Sequence, residues 1–270
     1  MMKMKNFRMT RSLQILAAVA LMGMASSGWA TSWALDSGCA TSSGVSTCAT
    51  SGGISLTVQA YSTSTGTVAA PTTGTKFAAA QVTQNGTSYG LGVVSSNEDG
   101  SAPQHTMDNV AGTDLIVLHF GSAINLSSIL LGYTYNDADL TVMAYTKAGT
   151  PTILNNTTGS FTAANGWTSV QNYFTDAGSP TTTDVAVTTN KDTTTYSSWW
   201  VISAYNSGYG GSGTGDALAD YVKLMTVAGS TKQSSGVPEP GSLALVGVGL
   251  LGLLGSARRR KTAQRAALAA

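Results

Sequence analysis

Apolar and polar residues alternate along the middle of the chain in short runs: GISLTVQAY (53–61), KFAAAQVTQ (76–84), YGLGVVS (89–95), TDLIVLHF (113–120), LSSILLGYTY (126–135), DLTVMAYT (139–146), TSVQNYF (168–174), TDVAVTT (183–189), WWVISAY (199–205) and DYVKLMTV (220–227). In ISLTV, Ile54, Leu56 and Val58 share one face while Ser55 and Thr57 take the other, the period-two signature of a half-buried strand. The segment 115–118 is apolar without interruption, which predicts a strand covered on both faces. Breaks rich in Asn, Asp, Gly and Ser separate the runs, as at NGTS, YNDAD and NSGYGGSGTGD. Such spacing predicts an all-β domain, an antiparallel β-sandwich of jelly-roll type with roughly eight to ten strands. Residues 126–146 read as two strands joined in a hairpin through Asn136 and Asp137, and ALADYVKL as a helical turn entering the last strand.

The two ends follow a different pattern. Residues 13–25 form an apolar stretch behind Lys3, Lys5, Arg8 and Arg11, too short for a confident spanning helix and typical of a signal helix. Gly28 and Ala30 are the small residues that signal peptidase requires, so cleavage is expected between Ala30 and Thr31. Near the C-terminus Pro238, Glu239 and Pro240 precede an apolar segment at 242–257, followed by Arg258, Arg259, Arg260 and Lys261. A helix over 242–257 is about 24 Å long, which a thinned bilayer and snorkelling arginines can accommodate as a transmembrane helix, with the basic cluster as the cytoplasmic stop. The expected organisation is a signal peptide over 1–30, an exported domain over 31–232, a linker carrying the Pro-Glu-Pro triplet over 233–241, the membrane helix over 242–257 and a basic cytoplasmic tail over 258–270.

Charge changes the picture once the ends are set aside. Between residues 31 and 237 five lysines, and no arginine, stand against eleven aspartates and Glu98. Nucleic acid is therefore not an expected partner, because counterion displacement needs clustered Lys and Arg. Cys39 and Cys48, both within the exported part, are expected to close a disulfide in an oxidising compartment.

The C-terminal order of Pro238, Glu239, Pro240, short apolar helix and Arg258, Arg259, Arg260 resembles the sorting signal of PEP-CTERM proteins, the exosortase-dependent surface proteins. WWVISAY followed by a Gly-rich loop and DYVKL is more loosely similar to proteobacterial members of that group. The resemblance implies that Pro238, Glu239 and Pro240 are recognised by an exosortase-like transpeptidase and that Arg258, Arg259 and Arg260 stop transfer. It implies a chain anchored in the inner membrane of a Gram-negative bacterium before processing, then placed at the cell surface or in the extracellular matrix, with exopolysaccharide or biofilm as its surroundings.

Candidate chemistry in the exported part is sparse. His105 lies in a polar stretch and His119 in an apolar one, without GxSxG, HExxH or CxxC nearby, so no catalytic residue is assigned and a non-enzymatic surface or matrix protein is expected. Two alternatives have discriminating features. A secreted hydrolase of unrecognised type would need paired carboxylates in a cleft, about 5–9.5 Å apart for a glycosidase. A carbohydrate-binding module would show an exposed aromatic row or a calcium-bridged loop. No resident cofactor is expected; Asn136, Asp137 and Asp139 are the calcium candidates, and Trp199, Trp200, Tyr205 and Tyr209 the candidate carbohydrate platform.

Overall fold

The computed structural model describes residues 30–42, 45–63, 77–84, 89–96, 98, 103, 105–151, 161–173, 185–188, 194–209, 218–232 and 248–249. The chain divides into two compact units, Met1–Lys232 and Gln233–Ala270, and the strands belong to the first. In chain order they are β1 (Thr31–Ala34), β2 (Cys39–Ser42), β3 (Val45–Ser51), β4 (Ile54–Thr63), β5 (Phe77–Gln84), β6 (Leu91–Val94), β7 (Met107–Asp108), β8 (Asp114–Asn136), β9 (Leu140–Tyr145), β10 (Trp167–Tyr173), β11 (Val185–Thr188), β12 (Ser197–Ala204) and β13 (Asp220–Thr231). The domain is all-β, as the alternating runs predict.

The sandwich expectation gives way to a barrel with extra strands. β8 pairs with β13, β13 with β6, β6 with β5, β5 with β4, and β4 returns to β8, so five strands close on themselves. The cause is β8, a single strand of 23 residues where the sequence suggests two. Its N-terminal part, from Asp114 to Phe120, pairs with β4, and the part from Ile124 to Asn136 pairs with β13. Between them Gly121, Ser122 and Ala123 are exposed and without large side chains, which lets the strand turn the corner from one side of the barrel to the other.

β9, β10 and β12 extend the sheet beyond the N-terminal part of β8, in the order β10-β9-β12-β8. Asn136 does adopt a left-handed φ of 61°, yet no hairpin follows: β12 lies between β8 and β9. Nor is there a helical turn at Asp220, where β13 begins directly as a strand. Val222, Leu224 and Val227 are buried, so the period-two pattern outweighs the helix-forming Ala and Leu just before it.

Ile116, Leu118 and Phe120 of β8 face the main core with Leu56, Val58, Trp200 and Ile202. Leu115 and Val117 face a second apolar cluster with Tyr61, Phe77, Phe161 and Trp167. The continuous apolar run is thus covered on both faces, as its pattern requires.

Cys39 and Cys48 are direct partners across the β2–β3 ladder and are joined in a disulfide. Closing so short a loop restricts the unfolded chain by about 2–3 kcal/mol in the entropic account. The double variant Cys39→Ser/Cys48→Ser is expected to lose about that much stability in a urea titration, with m equal to or slightly above that of the parent as the unfolded chain is released. A midpoint identical to that of the parent protein would contradict the assignment.

No helix among the described residues is long and apolar enough to cross a membrane. The expected signal helix lies outside the described residues, as does the 242–257 helix apart from Val248 and Gly249, which are helical.

Candidate functional site

The most charged feature of the barrel is buried. Asp137 and Asp139 follow the end of β8, with Ala138 packed into the core between them, and Asp220 opens β13. Strand pairing brings Asp220 to these residues across 81 positions: its Oδ1 accepts the Asp139 N–H at 2.6 Å, and the Asp137 backbone bridges to Asp220. One carboxylate oxygen from each of the three lies within 4.8 Å of the others, and all three residues are buried.

Asn109, just after β7, completes the arrangement: its Nδ2 donates to Asp220 Oδ2 and its Oδ1 accepts the Asp220 N–H at 2.9 Å. The same amide donates to the Tyr205 carbonyl at 3.1 Å, while Tyr205 N–H donates to the Asp139 carbonyl at 3.0 Å. The cluster therefore ties the ends of β7, β8, β12 and β13 together.

Three close carboxylates in a low-dielectric interior are costly when all are ionised. Burial, opposed by the Asp139 N–H and reinforced by the charges of Asp139 and Asp137, pushes Asp220 up to about 8. A proton held among the three removes one charge at neutral pH. The same oxygens are of the type a hard cation takes. Asp137, Asp139 and Asp220 could hold one; Asn136 could not join them in its present orientation, because its side chain is exposed and donates to the Ala219 carbonyl at 3.3 Å. The structure thus keeps two members of the NDAD candidate, removes Asn136 and adds Asp220, which Asn109 holds in place through hydrogen bonds.

A second buried carboxylate, Asp114 at the start of β8, is raised well above the ordinary range by burial and then by Asp108, against a hydrogen bond from Ser62.

The histidines are apart from this cluster. His105, at φ 60°, places Nδ1 2.9 Å from the Glu98 carboxylate. His119 stacks on Trp199 with ring centroids 3.7 Å apart and an interplanar angle of 9°, and burial lowers its pKa. Both cysteines are in the disulfide, which removes the thiols as nucleophiles.

The platform residues separate. Trp200 is in the core with its Nε1 donating to the Ser197 carbonyl at 2.9 Å, and Tyr205 is also buried, so neither offers a ring face to a ligand. Trp199 points to the opposite face of β12, as adjacent strand residues must, and is half-buried against His119. The side chain of Tyr209 lies outside the described residues. A different set of aromatics is on the surface: Tyr133 and Tyr135 of β8, Tyr221 of β13, and Tyr89 just before β6. The period-two spacing in YTY was the available signal for two of these.

The sorting residues Pro238, Glu239, Pro240, Arg258, Arg259, Arg260 and Lys261 lie outside the described residues, whereas Ala30 is exposed and Thr31 is the first residue of β1. Comparison with protein families matches residues 236–261 to the PEP-CTERM protein-sorting motif, a span that contains the Pro-Glu-Pro triplet and ends on Lys261. A search of curated proteins found no match to the chain. The chain therefore carries a PEP-CTERM signal, which marks it for export and for membrane-anchored sorting to the cell surface by an exosortase-type enzyme.

Proposed function

We propose that this protein is a non-catalytic surface or matrix component, exported behind a cleaved signal peptide, processed by an exosortase at Pro238, Glu239 and Pro240, and retained with exopolysaccharide outside a Gram-negative cell. The observation that carries the reading is the match of residues 236–261 to the PEP-CTERM protein-sorting motif. The last strand of the all-β unit ends at Thr231, shortly before that segment, so the folded cargo and the signal occupy separate stretches of chain.

Support for a non-catalytic role comes from the acidic cluster. Its carboxylates are committed to strand ends and covered by the fold, where a glycosidase pair needs room for a sugar ring and a water. The membrane stage is assigned to 242–257 with Arg258, Arg259, Arg260 and Lys261 as its stop, and no resident cofactor is assigned.

Replacing Pro238, Glu239 and Pro240 together by alanine tests the sorting step. The triple variant is expected to accumulate in the inner-membrane fraction, unprocessed, with the matrix-associated form falling at least tenfold. A variant that reaches the matrix as efficiently as the parent chain sinks the role assigned to the triplet.

A further inference from the structure

Tyr133 and Tyr135 alternate with the buried Thr134 along β8, and their direct partners across the ladder to β13 are Lys223 and Tyr221, which alternate with the buried Val222. All four side chains therefore stand on the outer face of the barrel. Tyr135 and Tyr221 meet edge to face at 5.6 Å, and Tyr89 meets Tyr133 edge to face at 5.9 Å.

Tyr89 is seated by two glycines. Gly90, at φ 83°, lies so close to β13 that a Cβ would overlap the Leu224 carbonyl, and a Cβ on Gly132 would come within 2.8 Å of the Tyr89 carbonyl oxygen. Only backbone without side chains lets Tyr89 lie down beside Tyr133. Tyr89 and Tyr135 are each 37% exposed, whereas the exposed positions among the described residues are mostly the small residues Ser, Thr, Ala and Gly.

We propose that Tyr89, Tyr133, Tyr135 and Tyr221 form a platform for an uncharged polysaccharide. The inference rests on the matrix reading above and names the surface that would serve it. Sugar rings carry one C–H face that packs on an aromatic ring and a rim of hydroxyls that phenols can hydrogen-bond. Tyr133 and Tyr135 are two residues apart on β8, about 7 Å at the usual strand rise, with the Tyr89 ring 5.9 Å from the first and the Tyr221 ring 5.6 Å from the second, a surface wider than one sugar ring and so suited to a chain rather than to a single small molecule.

Charge argues for a neutral ligand. Lys223, the one lysine in the patch, is buried with its Nζ 5.5 Å from the Tyr133 ring centroid and has Glu98 nearby. Asp108 pairs with Tyr221 across the β7–β13 ladder. With twelve acidic residues against five lysines between 31 and 237, the exported part repels polyanions. Area argues against a protein partner: with two tyrosines at 37% exposure and two below it, the patch offers less than about 300 Å² of tyrosine surface, well below the roughly 800 Å² per side of a stable protein interface.

The test is affinity electrophoresis of the full chain, purified in a neutral detergent, through gels containing hydroxyethyl cellulose, laminarin, dextran or the polyanion alginate. Retardation by at least one neutral polysaccharide and not by alginate is expected. Tyr89→Ala/Tyr135→Ala should weaken it at least tenfold in a variant that still melts cooperatively, its midpoint lowered by several degrees through the two lost ring contacts, whereas Tyr89→Phe/Tyr135→Phe should keep most of it.

The proposal is overturned by a parent chain that no neutral polysaccharide retards, by an alanine variant retarded like the parent, or by self-association in sedimentation that the alanine variant abolishes. In the host, an alanine variant that is processed normally and still held by the matrix removes the platform while leaving the sorting reading intact. A chain left unprocessed at its tail sinks only the sorting reading if the gel result is as expected.

Discussion

Melting temperature is expected to fall as pH rises from about 5 to about 9, the reverse of the usual behaviour of paired carboxylates. Asp220 titrates at about 8 in the folded protein, against about 3.9 for an aspartate in an unfolded chain. Below the unfolded value both states hold the proton and nothing is lost. Between the two values the folded state keeps a proton that the unfolded state releases, so stability declines with pH until the folded group also ionises.

At about 1.4 kcal/mol per pH unit the window corresponds to at most about 6 kcal/mol. Asp114, also raised, acts in the same direction. A loss of about 3 kcal/mol would lower the midpoint by roughly 6–12 °C in a domain of this size. Asp220→Asn keeps the shape of the side chain and removes the ionisation; it gives up one of the two accepted hydrogen bonds, because its NH2 must face either Asn109 Nδ2 or the Asp139 N–H, which lowers stability at every pH but should flatten much of the slope. Melts at pH 5, 7 and 9 with a chelator present decide the matter; stability that is flat or rises with pH contradicts a proton held in the cluster.

The second large effect concerns the first strand after the expected cleavage site. Trp33 is buried against Phe120, with ring centroids 4.7 Å apart at 61°, and its Nε1 donates to the Ile54 carbonyl at 3.0 Å. Trp33→Ala removes the ring from a closed core and leaves that carbonyl without its donor, an expected loss of about 3–5 kcal/mol. Trp33→Phe should cost less, since it retains part of the packing. β1 pairs with β13 from Thr31 to Ala34, opposite Gly229 to Thr226, so the N-terminus expected after cleavage is held by the last strand of the domain. A denaturant midpoint for Trp33→Ala corresponding to less than about 1 kcal/mol would contradict this account of β1.

What was legible in the sequence was whatever depends on near neighbours. Ile54, Leu56 and Val58 alternate with polar residues, and the buried strand face follows from that spacing alone. The run from Leu115 to Leu118 announced two covered faces, and Cys39 and Cys48 could reach one another in a short loop. The closure of the barrel was not legible, because Gly121, Ser122 and Ala123 read as a break between strands while the backbone continues through them as one bent strand. For the same reason the turn residues Asn136 and Asp137 suggested a hairpin, although the partner of β9 on that side is β12.

The acidic cluster was half visible. Asp137 and Asp139 stand out in NDAD, but Asp220 and Asn109 reach them only through the β8–β13 and β7–β13 registers, for which no local pattern exists. Trp199 and Trp200 drew attention by being adjacent, and alternation correctly sent them to opposite faces. The more exposed tyrosines were hidden in plain period-two runs, their proximity set by pairing between β8 and β13 and by two glycines that permit close approach.

Intact-mass measurement of the protein from its host, with and without the sorting enzyme, tests the central claim most directly. The account predicts a chain beginning at Thr31 in both strains and ending near Pro238 only when the enzyme is present. A chain that retains Arg258, Arg259, Arg260 and Lys261 in both strains would contradict it and reduce the tail to a membrane anchor.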